Sequence, residues 1–108
     1  MSELRDRIQD VIDNEPVALF MKGTPQLVMC GNSSRALESL RALGAPVTAV
    51  NVLPDPEIRE ELSAISGWPT IPQVFVRGEL RDKLHGALGD DALTGEERVV
   101  DVLAPAAR

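Results

Sequence analysis

The chain is 108 residues long, with 17 acidic and 11 basic side chains and a formal net charge of -6. This length fits one compact domain, and the sign of the charge argues against nucleic acid or an anionic membrane as a partner. No apolar run approaches the roughly 20 residues that span a bilayer, and the opening MSELRDRIQD lacks a signal peptide's apolar segment, so a cytoplasmic protein is expected.

In chain order, Ser2 can cap a helix with Leu4, Ile8, Val11 and Ile12 at helical spacing, ending near Asn14 before Pro16. The run VALFM, Val17 to Met21, has the length and composition of a strand buried on both faces. After the loop KGTPQLVM, a helix is expected from Gly31 or Asn32 to Leu43, stopped by Gly44. VTAVNV, Val47 to Val52, reads as a second strand. DPEIREELSAISG then carries a cap at Asp55, a first-turn Pro56 and a terminal Gly67 around inward Ile58, Leu62 and Ile65. Beyond WPTIP, the strand Gln73 to Val76 turns at Arg77-Gly78 into a short return strand, ELR. The pattern TGEE from Thr94 predicts a C-terminal helix over 94–103, and DKLHGALGDDAL has no clear assignment. The order predicts an α/β fold, a four-stranded mixed sheet flanked by helices, with one right-handed parallel crossover and one hairpin.

The only cysteine, Cys30, falls at the end of the loop after the first strand and at the start of the next helix. Open α/β sheets bind ligands there, and unpaired N–H groups at a helix start favour a thiolate. Lys22, at the strand exit, can add positive charge. The alternatives are a structural cysteine and a solvated lysine. In WPTIPQ, Pro72 opens a strand, where Ile71-Pro72 is a candidate cis bond that would turn the Ile71 backbone outward; the alternative is a simple loop with Trp68 in the core.

Four segments, MKGTP, Cys30 five residues beyond Pro25, VNVLPDPEIRE and GWPTIPQVFVRGEL, together resemble the monothiol glutaredoxins of the Cys-Gly-Phe-Ser type. The similarity runs from about Ile8 to Leu80 within a single glutaredoxin-like domain, 1–108, whose residues 81–93 are atypical. The resemblance implies a thioredoxin fold, glutathione as ligand, and a role in carrying a [2Fe-2S] cluster. It implies that Cys30 ligates iron or forms a mixed disulfide with glutathione, and that Lys22 pairs with a glutathione carboxylate. By the same resemblance Arg59 holds the glycine carboxylate, and Thr70, Ile71 and Pro72 form the cis-proline segment against the tripeptide. The resemblance also implies that Trp68 and Gln73 frame the cleft. A [2Fe-2S] cluster takes four thiolates, so two copies of Cys30 and two glutathione thiols would bridge a homodimer. BolA-like proteins and apo iron-sulfur proteins are the further partners implied.

Two departures from the family stand out. Asn32 replaces the phenylalanine of the motif, which is expected to admit water and make the cluster more labile. After Leu80 the family's Val-Gly-Gly-x-Asp segment is replaced by RDKLHGALGDD; in ungapped register Asp82 and Lys83 take the glycine positions and His85 the aspartate position, and a shifted register would recruit Gly89 and Asp90. Loss of that segment removes one anchor for glutathione. His85, the only histidine, is either a surface residue or an unusual ligand at the cleft. Besides cluster carriage, the sequence allows a glutathione-dependent monothiol oxidoreductase that removes glutathione from proteins, or a degenerate binding module with neither activity. Only a monothiol route is open, since no second cysteine exists.

Overall fold

The computed structural model describes residues 3–81 and 96–104. The segment containing Asp82, Lys83, His85, Gly89 and Asp90 lies outside the described residues, so the expectations placed on it are not addressed below.

Helix α1 spans Glu3–Asn14 and buries Ile8, Val11 and Ile12, as the periodicity predicts. Strand β1, Val17–Met21, is buried at all five positions because it is central: it pairs in parallel with β4, Val47–Asn51, and antiparallel with β5, Gln73–Val76. Its side chains alternate between two cores. Ala18 and Phe20 join α1 residues and the buried Ile58 and Leu62 of α3, Pro56–Ser66, with Phe20 edge-on to Phe75 at 5.7 Å between ring centres. Val17, Leu19 and Met21 join Leu37 and Leu40 of α2, Gly31–Ala42, on the other face. The helices therefore flank a mixed sheet.

The expected loop after β1 is a small hairpin, β2 at Gly23–Thr24 and β3 at Leu27–Val28. Gly23 has φ +100°, and a Cβ there would lie 2.4 Å from the Leu27 carbonyl oxygen, so only glycine permits this closure. Asp55 caps α3 by accepting from the Glu57 amide at 2.9 Å, and Gly67 ends it at φ 71°. Arg77 and Gly78, both at positive φ, form the two-residue turn into β6, Glu79–Arg81.

The C-terminal helix predicted over 94–103 is not present in its described part. Residues 98–99 instead form β7, Arg98–Val99, parallel to β4, and extend the sheet to five strands in the order β6-β5-β1-β4-β7. The reason is tertiary. The TGEE pattern favours a helix start, but the valines that follow are β-branched, and β4 offers an open edge. The Val100 amide donates to the Ala49 carbonyl at 2.9 Å. Paired Arg98–Glu15 and Arg41–Glu97 fasten the segment on both sides, while Val102 is buried against the α1 and α3 core.

Topology gathers the chemistry at one end of the sheet. Parallel β1 and β4 both end there, so Lys22 emerges beside Asn51 and the α3 start. Antiparallel β5 begins there and β6 ends there, which brings Gln73 and Arg81 to the same edge. Ligand clefts form at such carboxyl ends because helix starts and loop amides converge on them.

Candidate functional site

Cys30 is the N-cap residue of α2, in extended conformation at φ -151°, and its side chain is half-buried. The sulfur makes no capping hydrogen bond of ordinary geometry, but the helix start is aimed at it. Its thiol is held below the ordinary range, first by the backbone N–H of Ser33 and then by that of Asn32. Partial desolvation opposes this, and the Ser33 hydroxyl and the Lys22 ammonium add smaller lowering effects. The expected cause, a helix N-terminus with a supporting lysine, is therefore present, with the amides dominant and Lys22 minor.

Ser33 was not singled out by the sequence, although it lies within the Cys-Gly-Asn-Ser motif. It is fully buried, and its Oγ accepts the Lys22 backbone amide at 3.1 Å, leaving its own hydrogen free to face the Cys30 sulfur. Asn51 was missed as well. Its Oδ1 accepts both the Gly23 amide and the Leu53 amide at 3.0 Å, locking the strand exit that carries Lys22. The Met29 amide donates to the Lys22 carbonyl at 2.9 Å and closes the loop just ahead of Cys30.

The second predicted segment leads into β5 at the end of the sheet where β1 stops. Ile71-Pro72 is cis, as the sequence suggested. The Ile71 side chain is buried in the core, while no hydrogen bond among the described residues engages its backbone. Trp68 is 44% exposed, so it borders the cleft and does not fill the core. Gln73 is 1% exposed and braces the segment, its Nε2 donating to the carbonyls of Trp68 at 2.8 Å and Thr70 at 3.1 Å.

Two cavities flank this segment. One, of about 470 Å³, brings together Lys22 and Arg59 with Leu53, Glu60, Ser63 and Pro69. Arg59 is also tied to the segment, donating to the Pro69 carbonyl at 3.1 Å. The other, of about 380 Å³, is lined by Asn32, Trp68, Thr70 to Gln73, and Arg81. Of the six predicted site residues, Lys22 and Arg59 share the first cavity and Thr70, Ile71 and Pro72 line the second, while Cys30 lines neither and stands at the start of α2.

The glutaredoxin family model matches residues 17–81, the span that builds this cleft. The chain belongs to the glutaredoxin family. Among its relatives, this glutaredoxin is 45% identical over 73 residues to probable monothiol glutaredoxin 2 of Rickettsia felis, covering 68% of the chain and 70% of the relative. It is 44% identical over 80 residues to glutaredoxin 4 of Escherichia coli, covering 74% and 70%. With one thiol and these relatives, it is a monothiol glutaredoxin.

Solved structures give the same fold. The glutaredoxin superposes on a monomeric truncated mutant of Trypanosoma brucei 1-C-Grx1 with a TM-score of 0.65 and 40% identity, over 71% of this chain and 70% of that one. Reduced apo GrxS14 of poplar gives 0.63 and 38% identity over 71% of each chain. The architecture is thus the thioredoxin fold that the resemblance implied.

Proposed function

We propose that this glutaredoxin binds glutathione across the cis-proline segment and carries a [2Fe-2S] cluster between two subunits for delivery to recipient proteins. The observation that carries this reading is a thiolate-favouring Cys30 at the start of α2 in a fold that also has a cis Ile71-Pro72 bond and a cavity bearing Lys22 and Arg59 beside Pro69.

A glutathione molecule laid antiparallel to Ile71 would place its sulfur beside Cys30 and its glycine carboxylate at Lys22 and Arg59. Both cations then neutralise a charge that would otherwise repel the Cys30 thiolate. The described residues hold no cluster of three or more His, Cys, Asp or Glu side chains arranged for a metal. One chain therefore supplies one thiolate, and a four-thiolate cargo takes the rest from a second copy and from two glutathiones. Ligands that are exchangeable small molecules make the cargo easy to release. In this reading the functional unit is the single domain 1–108, a homodimer when loaded, with BolA-like proteins and apo iron-sulfur proteins as cytoplasmic partners. No helix among the described residues is long and apolar enough to cross a membrane.

A second activity follows from the lowered Cys30 thiol. Its thiolate can attack the glutathione sulfur of a glutathionylated protein, forming a Cys30–glutathione disulfide and expelling the protein thiolate. A second glutathione thiolate then attacks the glutathione sulfur of that disulfide, releasing Cys30 thiolate and glutathione disulfide.

The test is anaerobic reconstitution with iron, sulfide and glutathione, followed by visible absorption and size-exclusion mass, with Cys30→Ser in parallel. A glutathione-dependent chromophore on a dimer, absent from Cys30→Ser, is the expected result. A folded protein that takes up no chromophore overturns the carrier reading, and turnover on a glutathionylated substrate would then favour the second activity.

A further inference from the structure

The pairing of β1 with β4 ends at Met21 and Asn51, and one further main-chain bond runs from the Val52 amide to the Met21 carbonyl at 2.9 Å. Past that point the strands separate. The first turns into the hairpin that begins at Gly23, and the second runs through Leu53 to the Asp55 cap of α3. The Gly23 and Leu53 amides, just beyond the ladder, therefore need acceptors that strand pairing no longer supplies. Asn51 serves both from one atom, Oδ1, at 3.0 Å each. Two converging donors fix that atom as the oxygen of the side-chain amide.

These amides belong to the two stretches of chain that build the cavity of about 470 Å³. Lys22 directly precedes Gly23, and Leu53 lines the cavity and leads into α3, which carries Arg59. Gly23 is at φ +100°, and a residue so permissive leaves the direction of the neighbouring cation to outside restraints. The backbone contacts of Lys22 itself face the thiol: its amide donates to Ser33 Oγ and its carbonyl accepts the Met29 amide. Asn51 is the tie on the other side, joining the Lys22 exit to the approach to Arg59. Glu60 also lines the cavity and opposes an anion, so a carboxylate is held there only where both cations reach it together.

We propose that Asn51 is a positioning residue for carboxylate recognition: by accepting the Gly23 and Leu53 amides together, it holds Lys22 and Arg59 at the spacing at which both engage one carboxylate of the ligand. This rests on the glutathione reading above, in which that carboxylate is the glycine terminus. Asn51 acts through the two cations and does not itself touch the ligand.

The test uses two ligands that differ only at that carboxylate, glutathione and glutathione amidated at its glycine terminus. The protein is equilibrated with either peptide and its disulfide, and the mixed disulfide on Cys30 is measured by intact mass. The Cys30 thiolate attacks one sulfur of the peptide disulfide and releases one peptide thiolate, with no net oxidation. Wild type should favour glutathione over the amide by about ten-fold, the range of a charge-assisted hydrogen bond. Asn51→Ala should lose most of that preference, a ratio in which a general loss of stability cancels. Asn51→Asp, whose carboxylate oxygen still accepts two amides, should restore it. The pH profile of Cys30 alkylation should be the same in wild type and Asn51→Ala, because the α2 amides dominate the lowering of that thiol and Lys22 is the last of its causes. Full preference in Asn51→Ala, an equal loss in Asn51→Asp, or a displaced alkylation profile would overturn the role of Asn51 and leave the glutathione reading standing. If wild type does not distinguish glutathione from its amide, Lys22 and Arg59 are not the carboxylate site and the proposal falls with them. If wild type prefers neither peptide disulfide over 2-hydroxyethyl disulfide, the glutathione reading falls as well.

Discussion

The Ser33 hydroxyl sits between the Lys22 backbone amide, which it accepts at 3.1 Å, and the Cys30 sulfur. A single buried side chain therefore joins the exit of the central strand to the helix start that holds the thiol.

Ser33→Ala leaves the Lys22 amide buried without an acceptor, at a cost of about 1–3 kcal/mol. It also removes one of the smaller contributions that lower the Cys30 thiol, while the dominant Ser33 amide stays. Urea unfolding should show the lost stability, and the pH profile of iodoacetamide alkylation should move modestly upward. An unmoved profile would mean that the amides act alone.

The lowered Cys30 thiol also makes stability depend on pH. Folding favours the thiolate, so the contribution is absent below the folded pKa, grows as pH rises towards the unfolded value, and is full above it. The urea midpoint of wild type relative to Cys30→Ser should therefore rise with pH across that window. Lys22→Gln should keep most of the effect, since Lys22 is the last of the causes.

Gly23→Ala introduces a Cβ at φ +100°, 2.4 Å from a backbone oxygen. Backbone cannot yield as a flexible side chain does, so a loss of at least about 1 kcal/mol is expected. Thermal unfolding measures it. Because this hairpin precedes Cys30, alkylation should also become less selective for the thiolate range.

Arg41 reaches Glu97 through two hydrogen bonds, at 2.8 and 2.9 Å, and holds the Glu97 carboxyl below its usual range. The pair is largely solvent-exposed, so Arg41→Ala should cost well under about 1 kcal/mol globally. Locally the effect should be visible: β7 is only two residues long, and amide exchange at Val100 should accelerate. The contribution of Glu97 is present above its unfolded pKa and lost as pH falls through the folded one, so acid should lower the protection of the same amide relative to its intrinsic exchange rate.

Asn32 is exposed at the cavity rim, its Oδ1 held by Arg35 at 3.0 Å. In the carrier reading an apolar ring there would keep water from the cargo. Asn32→Phe should slow the decay of the visible chromophore several-fold, a change of about 1 kcal/mol in barrier; equal decay rates would remove Asn32 as the cause of lability.

Local pattern was enough for most of this protein. Val17 to Met21 could only be a central strand, because five consecutive apolar residues need cover on both faces, and Asp55, Pro56 and Gly67 mark α3 through rules that act within one turn. Four matching segments also pointed to the family that the comparisons show. Tertiary contact decided the rest. The residues around Val99 became a fifth strand because β4 offered unpaired backbone and two ion pairs held the segment there, which no local capping pattern encodes. Ser33 looks in sequence like an ordinary helix serine. Its role arises from burial and from its contact with the Lys22 amide, which is set only when the β1 exit and the α2 start pack side by side.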